Sequence, residues 1–245
     1  MDLSGRLAIV TGGAVRIGRV IAVHLAGRGC DVVVHYHTSA DEAERVAASV
    51  RETGRRAVTV SADLAGPTEA TDRIFAAAAD LGTPSLLVNS AAIFEKGTAE
   101  DTTDDSWDRH LAINLSAPFH LTRRFAKAAG GAGACVVNIA DWRAERHPAG
   151  NLAYTVSKSG LFALTRVAAQ DLAPRIRVNA IAPGPILPPP GMPESVLEPV
   201  IASLPMKRQG TPEEIARAVA YLAESEYVTG TMLHVDGGQQ FTGGL

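Results

Sequence analysis

Apolar residues follow two rhythms along this chain, and the rhythms alternate almost from end to end. Unbroken apolar runs centre on Leu7–Val10, Asp31–Tyr36, Ala57–Ala62, Leu86–Val88, Cys135–Ile139, Ile176–Ile181 and Thr231–Val235. Short runs of this kind between turn residues predict strands buried on both faces. Between them the apolar residues recur at helical spacing, as Ile17, Val20, Ile21 and Leu25 do within Arg16–Arg28. Further helices are expected over Ala40–Thr53, Pro67–Leu81, Thr103–Asn114, Leu115–Ala129, Tyr154–Asp171 and Pro212–Ala223. One stretch breaks the pattern: Pro188-Pro189-Pro190-Gly191-Met192-Pro193 is too rich in proline for regular structure. Pro183–Pro205 is therefore expected to be a loop, long enough to act as a lid. Alternating strands and helices predict an α/β fold, a doubly wound and mostly parallel sheet of about seven strands. With no repeat and no linker, residues 1–245 are expected to form one domain.

Composition narrows the partners rather than the fold. The formal net charge is −3 and the basic residues are scattered, so no nucleic-acid partner is expected. No apolar run reaches membrane-spanning length, and Met1–Arg6 has no apolar signal core, so a cytoplasmic chain without a membrane partner is expected. Cys30 and Cys135 adjoin strands and are expected to be reduced, buried and structural. His24, His110, His120, His147 and His234 lack metal-ligand spacing, so no metal is expected. Among them His147 falls nearest the expected pocket mouth.

Candidate chemistry gathers where strands end. Thr11-Gly12-Gly13-Ala14-Val15-Arg16-Ile17-Gly18 joins the first strand to the first helix. Its glycines permit a tight turn and close backbone approach, and a helix N-terminus offers amide donors to a diphosphate. The spacing is not G-x-G-x-x-G, so an ordinary turn is the competing reading. At the second strand's tip, His35-Tyr36-His37-Thr38-Ser39 carries no acid before Asp41. An acid there would bind the ribose of NAD and repel the 2′-phosphate of NADP. Arg16, His37, Thr38 and Ser39 can instead serve that phosphate, which predicts NADPH/NADP as cofactor. Asp63-Leu64 could meet the adenine, and Asn89-Ser90-Ala91 could floor the cofactor site. Tyr154 and Lys158, four apart on one helix face, can act together, the ammonium lowering the phenol's pKa.

Taken in order, Thr11–Gly18, Asp63-Leu64, Asn89–Ala91, Asn114, Tyr154-x-x-x-Lys158, Arg177–Gly184 and Val235-Asp236-Gly237-Gly238 resemble the short-chain dehydrogenase/reductase family over essentially the whole chain. The resemblance implies a Rossmann-type NAD(P)-binding domain. It implies Tyr154 as proton donor, Lys158 as the residue on the nicotinamide ribose, and Asn114 as holder of a relay water. Pro183, Gly184 and Ile186 would flank the nicotinamide. It also implies a homotetramer built on the two long central helices.

One position departs from that family pattern. Where the family has a serine about 13 residues before the tyrosine, this chain has Asp141, and no serine occurs between Ser116 and Ser157. An ionised carboxylate would oppose charge growing on a carbonyl oxygen. A carboxylic acid, or a carboxylate facing N–H groups, suits reduction of a C=N bond. Aspartate at this position resembles the pteridine reductases and the related dihydromonapterin and dihydrofolate reductases. His35-Tyr36-His37-x-Ser39 resembles their strand tip, with Thr38 where some members have arginine. Phe94 stands where those enzymes stack the pterin ring, and core packing is its competing reading. Trp142, Arg143 and the Pro183–Pro205 loop are expected to complete the pocket. The expected activity is NADPH-dependent reduction of a pterin, folate or other cyclic imine. A carbonyl reductase such as a 3-oxoacyl-[acyl-carrier-protein] reductase is the first alternative, and a catalytically silent NADP-binding regulator the second.

Overall fold

In the computed structural model, which describes residues 1–130, 133–189 and 191–242, seven strands form one parallel sheet. They are β1 (Leu7–Val10), β2 (Asp31–Tyr36), β3 (Ala57–Ser61), β4 (Pro84–Asn89), β5 (Ala134–Ile139), β6 (Ile176–Pro183) and β7 (Met232–Val235), in the spatial order β3-β2-β1-β4-β5-β6-β7. The expected doubly wound α/β sheet is what the chain forms. Pro190, within the expected lid, and the terminal residues 243–245 of the expected domain lie outside the described residues.

The continuous apolar runs have a direct cause: both sheet faces are covered, so successive side chains are buried in opposite directions. Ala8, Val10, Val32, Val34, Leu86 and Val88 join one core with Ile21 and Leu25 of α1 (Arg16–Gly27), Val46 and Val50 of α2 (Ala40–Glu52), and Val219 and Leu222 of the C-terminal helix Pro212–Glu224. Leu7, Ile9, Val33, Leu87 and Val136 face the other way, onto Ile74 and Phe75 of α3 (Pro67–Ala79) and onto Leu121 and Phe125 of the helix Ala117–Ala128. Pro67 and Pro212 each open their helix, where a missing N–H costs nothing. Cys30 and Cys135 are both free and buried, and burial pushes their thiols up to about 12 and about 11. None of the described helices is long and apolar enough to cross a membrane.

Two stretches differ from the sequence expectation. The helices α4 (Asp104–Leu111) and α5 (Ala117–Ala128) are joined without a break by a π-helical turn, Ala112–Ser116, which contains Asn114. The expected loop Pro183–Pro205 also carries regular structure after its proline cluster, a 3₁₀ turn at Glu194–Leu197 and the short helix Glu198–Ser203. Two further helices flank the site: α6 (Arg143–Arg146), which no apolar period announces, and α7 (Leu152–Leu172). The helix Glu198–Ser203 is α8 and Pro212–Glu224 is α9.

Register places the site. Val10 pairs with Val34 and Val88, Asn89 with Asn138, Ile139 with Ile181, and Pro183 with Val235. The carboxyl ends of the strands therefore lie in one row, where open α/β sheets bind ligands.

Candidate active site

The row of strand ends opens into a cavity of about 710 Å3. Gly12 and Gly18 shape its first wall. A Cβ on Gly12 would stand 3.0 Å from the Ala91 Cα, and one on Gly18 would collide with the Gly12 carbonyl oxygen. Thr11 Oγ1 accepts from the amides of Ser90 and Ala91 at 3.0 and 3.1 Å, tying the glycine turn to the loop after β4. Bare backbone and the first turn of α1 face the same space, an arrangement that fits a diphosphate. Ile17, Tyr36, His37, Thr38, Ser39, Asp63 and Leu64 line the cavity beyond. No carboxylate stands on the β2 tip itself; Asp63 is nearby, with Oδ2 3.9 Å from His37 Nε2. Hydroxyls and an imidazole are what this end presents to an anionic group.

Of three further expected cofactor residues, His35 and Arg16 line the cavity and Asn89 does not. His35 lines the cavity but is buried, its Nδ1 accepting from Gly12 N–H at 3.1 Å and its Nε2 donating to Ala62 O at 3.0 Å. Burial pulls this imidazole down to about 4, against the Ala62 carbonyl, so it is a neutral strut between β1 and β3. Arg16 lines the cavity with the strand tip, and its Nη2 donates to Pro188 O at 2.8 Å, joining the glycine loop to the proline-rich loop. Asn89 does not reach the cavity; it lies beneath it, donating to Asn138 Oδ1 at 2.8 Å, because its register partner is that residue.

At the other end, α7 presents Tyr154 and Lys158 to the cavity. The Tyr154 hydroxyl donates to Asp141 Oδ2 at 2.8 Å. Asp141 Oδ1 accepts from the Arg143 amide at 2.9 Å and from Arg143 Nη1 at 3.3 Å. The carboxylate side chain is 15% exposed, enough to meet a ligand. Lys158, 2% exposed, donates to Ile139 O at 2.7 Å, and burial pushes its ammonium down to about 8 while Asp141 pulls the other way.

The expected lowering of the Tyr154 pKa by Lys158 is reversed in this structure. Burial first, then the charge and hydrogen bond of Asp141, hold the phenol well above the ordinary tyrosine range, with Arg143 opposing. A carboxylate accepting the phenol's proton at 2.8 Å outweighs an ammonium 5.7 Å from the ring centre.

Phe94 is not core. It is 41% exposed, lines the cavity, and stands edge-on to Tyr154 with ring centres 4.7 Å apart. Its loop is held against the start of α7 by Gly97 N–H on Gly150 O, Leu152 N–H on Gly97 O, and Asn151 Nδ2 on Glu95 O. Arg143 spans from Phe94 to Trp142, its guanidinium carbon 5.5 and 4.8 Å from the two ring centres. Trp142 itself is buried at the cavity wall.

Asn114 is fully buried and absent from the lining. Its Nδ2 donates to Ile93 O and Ser157 Oγ, and its Oδ1 accepts from Ile93 N–H. The side chain therefore braces the Phe94 loop against α7. Pro183, Gly184 and Ile186 line the cavity as expected, and Gly184 is required, since a Cβ there would lie 2.6 Å from the Asp236 Cα. His147 closes α6 with its Nε2 near Ala144 O, away from the lining. No metal-ligating cluster occurs among the described residues.

Leu197 and Val200 of the expected Pro183–Pro205 segment line the cavity, and Glu95, Ile113 and Gln239 line it without having been singled out from the sequence. Leu197 and Val200, three apart, carried a helical signal inside the proline-rich stretch. The others carried none.

Comparison with known proteins gives a consistent picture. A family model described as enoyl-(acyl carrier protein) reductase matches residues 13–240. A short-chain type dehydrogenase/reductase of Picea abies is 34% identical over 252 residues, 97% of this chain and 93% of that one. The 3-oxoacyl-[acyl-carrier-protein] reductase FabG of Staphylococcus epidermidis is 32% identical over 94% of this chain and 97% of its own. Among solved structures, FolM alternative dihydrofolate reductase 1 of Brucella canis, complexed with NADP, is 38% identical with a TM-score of 0.89, covering 98% of this chain and 96% of that one.

Proposed function

The chain belongs to the short-chain dehydrogenase/reductase family of oxidoreductases, and from that premise we propose that it is an NADPH-dependent reductase of a pterin- or folate-like C=N bond. One observation carries this reading: in the slot where the family's serine would face a carbonyl, the Asp141 carboxylate holds the Tyr154 hydroxyl at 2.8 Å. The similarity to FolM alternative dihydrofolate reductase 1 of Brucella canis, complexed with NADP, supports both the cofactor and the substrate class.

When bound, NADPH supplies the hydride. The chain's own residues do the rest. Gly12, Gly18 and the start of α1 take the diphosphate, His37, Thr38 and Ser39 the ribose phosphate, and Ser90 and Ala91 the floor. Asp63 and Leu64 border the adenine. Pro183, Gly184 and Ile186 flank the nicotinamide, and Lys158 holds its ribose. Phe94 offers an exposed ring face to a flat heteroaromatic, adding stacking to apolar burial. Tyr154 delivers a proton to the ring nitrogen next to the reduced carbon, Asp141 accepts from a ring N–H, and solvent returns a proton to the phenolate once product leaves. A phenol held above its ordinary range keeps its proton at working pH. The protonated phenol is thereby available as the proton donor. Asn114 keeps Phe94 and Tyr154 in register by bracing Ile93.

The proposal includes a homotetramer and a cytoplasmic location, with residues 1–245 as one domain. Exposed Phe119 on α5 and Val156 and Val167 on α7 supply apolar surface that further copies would cover.

Steady-state assays of the purified protein test the reading. NADPH should be consumed with dihydrobiopterin or dihydrofolate, and with higher kcat/KM than NADH. Brisk turnover of acetoacetyl thioesters with none of any pterin would replace it with the carbonyl-reductase reading. Cofactor binding without turnover across both panels would leave the regulatory one.

A further inference from the structure

In the turn after β5, one guanidinium meets both the carboxylate and the exposed ring of the site. Asp141 divides its carboxylate between two partners. Its Oδ2 accepts from the Tyr154 hydroxyl at 2.8 Å, while its Oδ1 accepts from the Arg143 amide at 2.9 Å and from Arg143 Nη1 at 3.3 Å. The same guanidinium lies between two rings, its carbon 4.8 Å from the centre of buried Trp142 and 5.5 Å from that of Phe94. Asp141, Arg143 and Phe94 all line the large cavity. Arg143 is poorly suited to be filler, because its Nε is buried with no hydrogen-bond partner among the described residues. Burying such a donor costs stability, so packing alone would favour an apolar side chain of similar length.

Holding Oδ1 from main chain and side chain together gives the carboxylate plane one orientation, and it leaves Oδ2 for the phenol. Charge enters as well. The charged and titratable groups facing the Tyr154 phenol are Asp141 and Arg143 from this turn, Lys158 from its own helix and His110 from α4. The Lys158 ammonium is 5.7 Å from the phenol ring centre and the His110 ring 6.4 Å, while Glu95, next to Phe94, is paired with Arg109. Burial and Asp141 hold the phenol high, and Arg143 opposes them.

We propose that Arg143 is a positioning residue for the proton transfer and acts through Asp141, aiming Oδ2 at Tyr154 and setting the distance of that oxygen from the ring stacked on Phe94. This inference rests on the C=N reductase reading above. The guanidinium reaches the carboxylate through Nη1 alone, so its charge and length matter more than its fork. A lysine should therefore serve in part where an apolar side chain cannot.

A double-mutant cycle with dihydrobiopterin and NADPH tests it. Arg143→Met should lower kcat about tenfold, as displacement of a proton-transfer group does, and Arg143→Lys should keep about half of wild-type kcat or more. In an Asp141→Ser background, Arg143→Met should change kcat by less than about twofold, because the carboxylate it aims is gone. The alkaline limb of the pH–rate profile should move to higher pH in Arg143→Met, since the phenol loses the positive charge that opposes burial and Asp141. A packing role between Phe94 and Trp142 would lower kcat alike in both backgrounds and leave that limb in place; either result overturns the proposal. Arg143→Gln, which keeps a planar polar head without the charge, carries the same comparison and the same outcomes if the methionine variant does not fold. Wild-type enzyme active on dihydrobiopterin with an indifferent variant removes the positioning role alone. Wild-type enzyme inactive on every pterin removes the parent reading, and this one with it.

Discussion

Asp141→Ser is expected to lower kcat/KM for dihydrobiopterin by about 10²–10³-fold, the usual worth of a positioned proton-transfer group. Reduction of an acetoacetyl thioester should be unchanged or faster in the same variant. Both effects follow from what the carboxylate does where it stands. It accepts the Tyr154 proton at 2.8 Å and is itself pinned by the Arg143 amide at 2.9 Å. A growing negative charge on a ketone oxygen would face that carboxylate and be disfavoured, whereas a serine hydroxyl could donate to it. A ring N–H, by contrast, has an acceptor only while the carboxylate is present. The variant also loses two influences that hold the Tyr154 phenol high, the charge and the hydrogen bond of Asp141. The alkaline limb of its pH–rate profile should therefore move to lower pH. Pterin activity within threefold of wild type would remove Asp141 from the chemistry.

Lys158→Met should abolish turnover, by about 10³-fold or more, and yet stabilise the cofactor-free protein at neutral pH. Lys158 is buried with its ammonium on the Ile139 carbonyl and in no ion pair among the described residues, and burial pulls its pKa from 10.5 to about 8, against the charge of Asp141. At ~1.4 kcal/mol per unit, that shift corresponds to about 3 kcal/mol of stability forfeited by keeping the charge inside. The lost bond to Ile139 O offsets part of the gain, so a net increase of about 1–3 kcal/mol is expected. The sign with pH is specific. Below pH 8 the lysine is charged in both folded and unfolded chains and the penalty is complete. Between pH 8 and 10.5 the unfolded chain binds more protons, so wild-type stability rises with pH. Urea melts of the two proteins should accordingly converge across that window. A constant difference, or a less stable variant at pH 7, contradicts this account of the ammonium.

The residues that place the site were legible because their causes are local. β1, β4 and β5 are nearly continuous apolar runs, and the polar residues of β2 and β6 are buried with them, as a sheet covered on both sides requires. Once the strands were parallel, Thr11, Asp63, Ser90, Asp141 and Pro183 had to come together at one edge. Tyr154 and Lys158 were visible as a helix-face pair. What stayed hidden depends on partners distant in sequence. Arg16 meets Pro188 across 172 positions, and His35 links Gly12 to Ala62. Asn89 is drawn under the cavity by Asn138, a matter of register that neither segment encodes alone. The π-helical turn at Asn114 continues the helical period on both sides and leaves no mark in it. The sign of the field at Tyr154 was misread for a related reason. Spacing showed the lysine, but only geometry shows that a carboxylate is closer to the proton.

The most direct measurement is a crystal structure of the protein with NADP and a pterin-like antifolate. The ring should lie against Phe94, with Asp141 within hydrogen-bond distance of a ring or amino nitrogen and Tyr154 beside the atom to be protonated. An Asp141 carboxylate turned away to Arg143, with the inhibitor touching neither it nor Phe94, would contradict it.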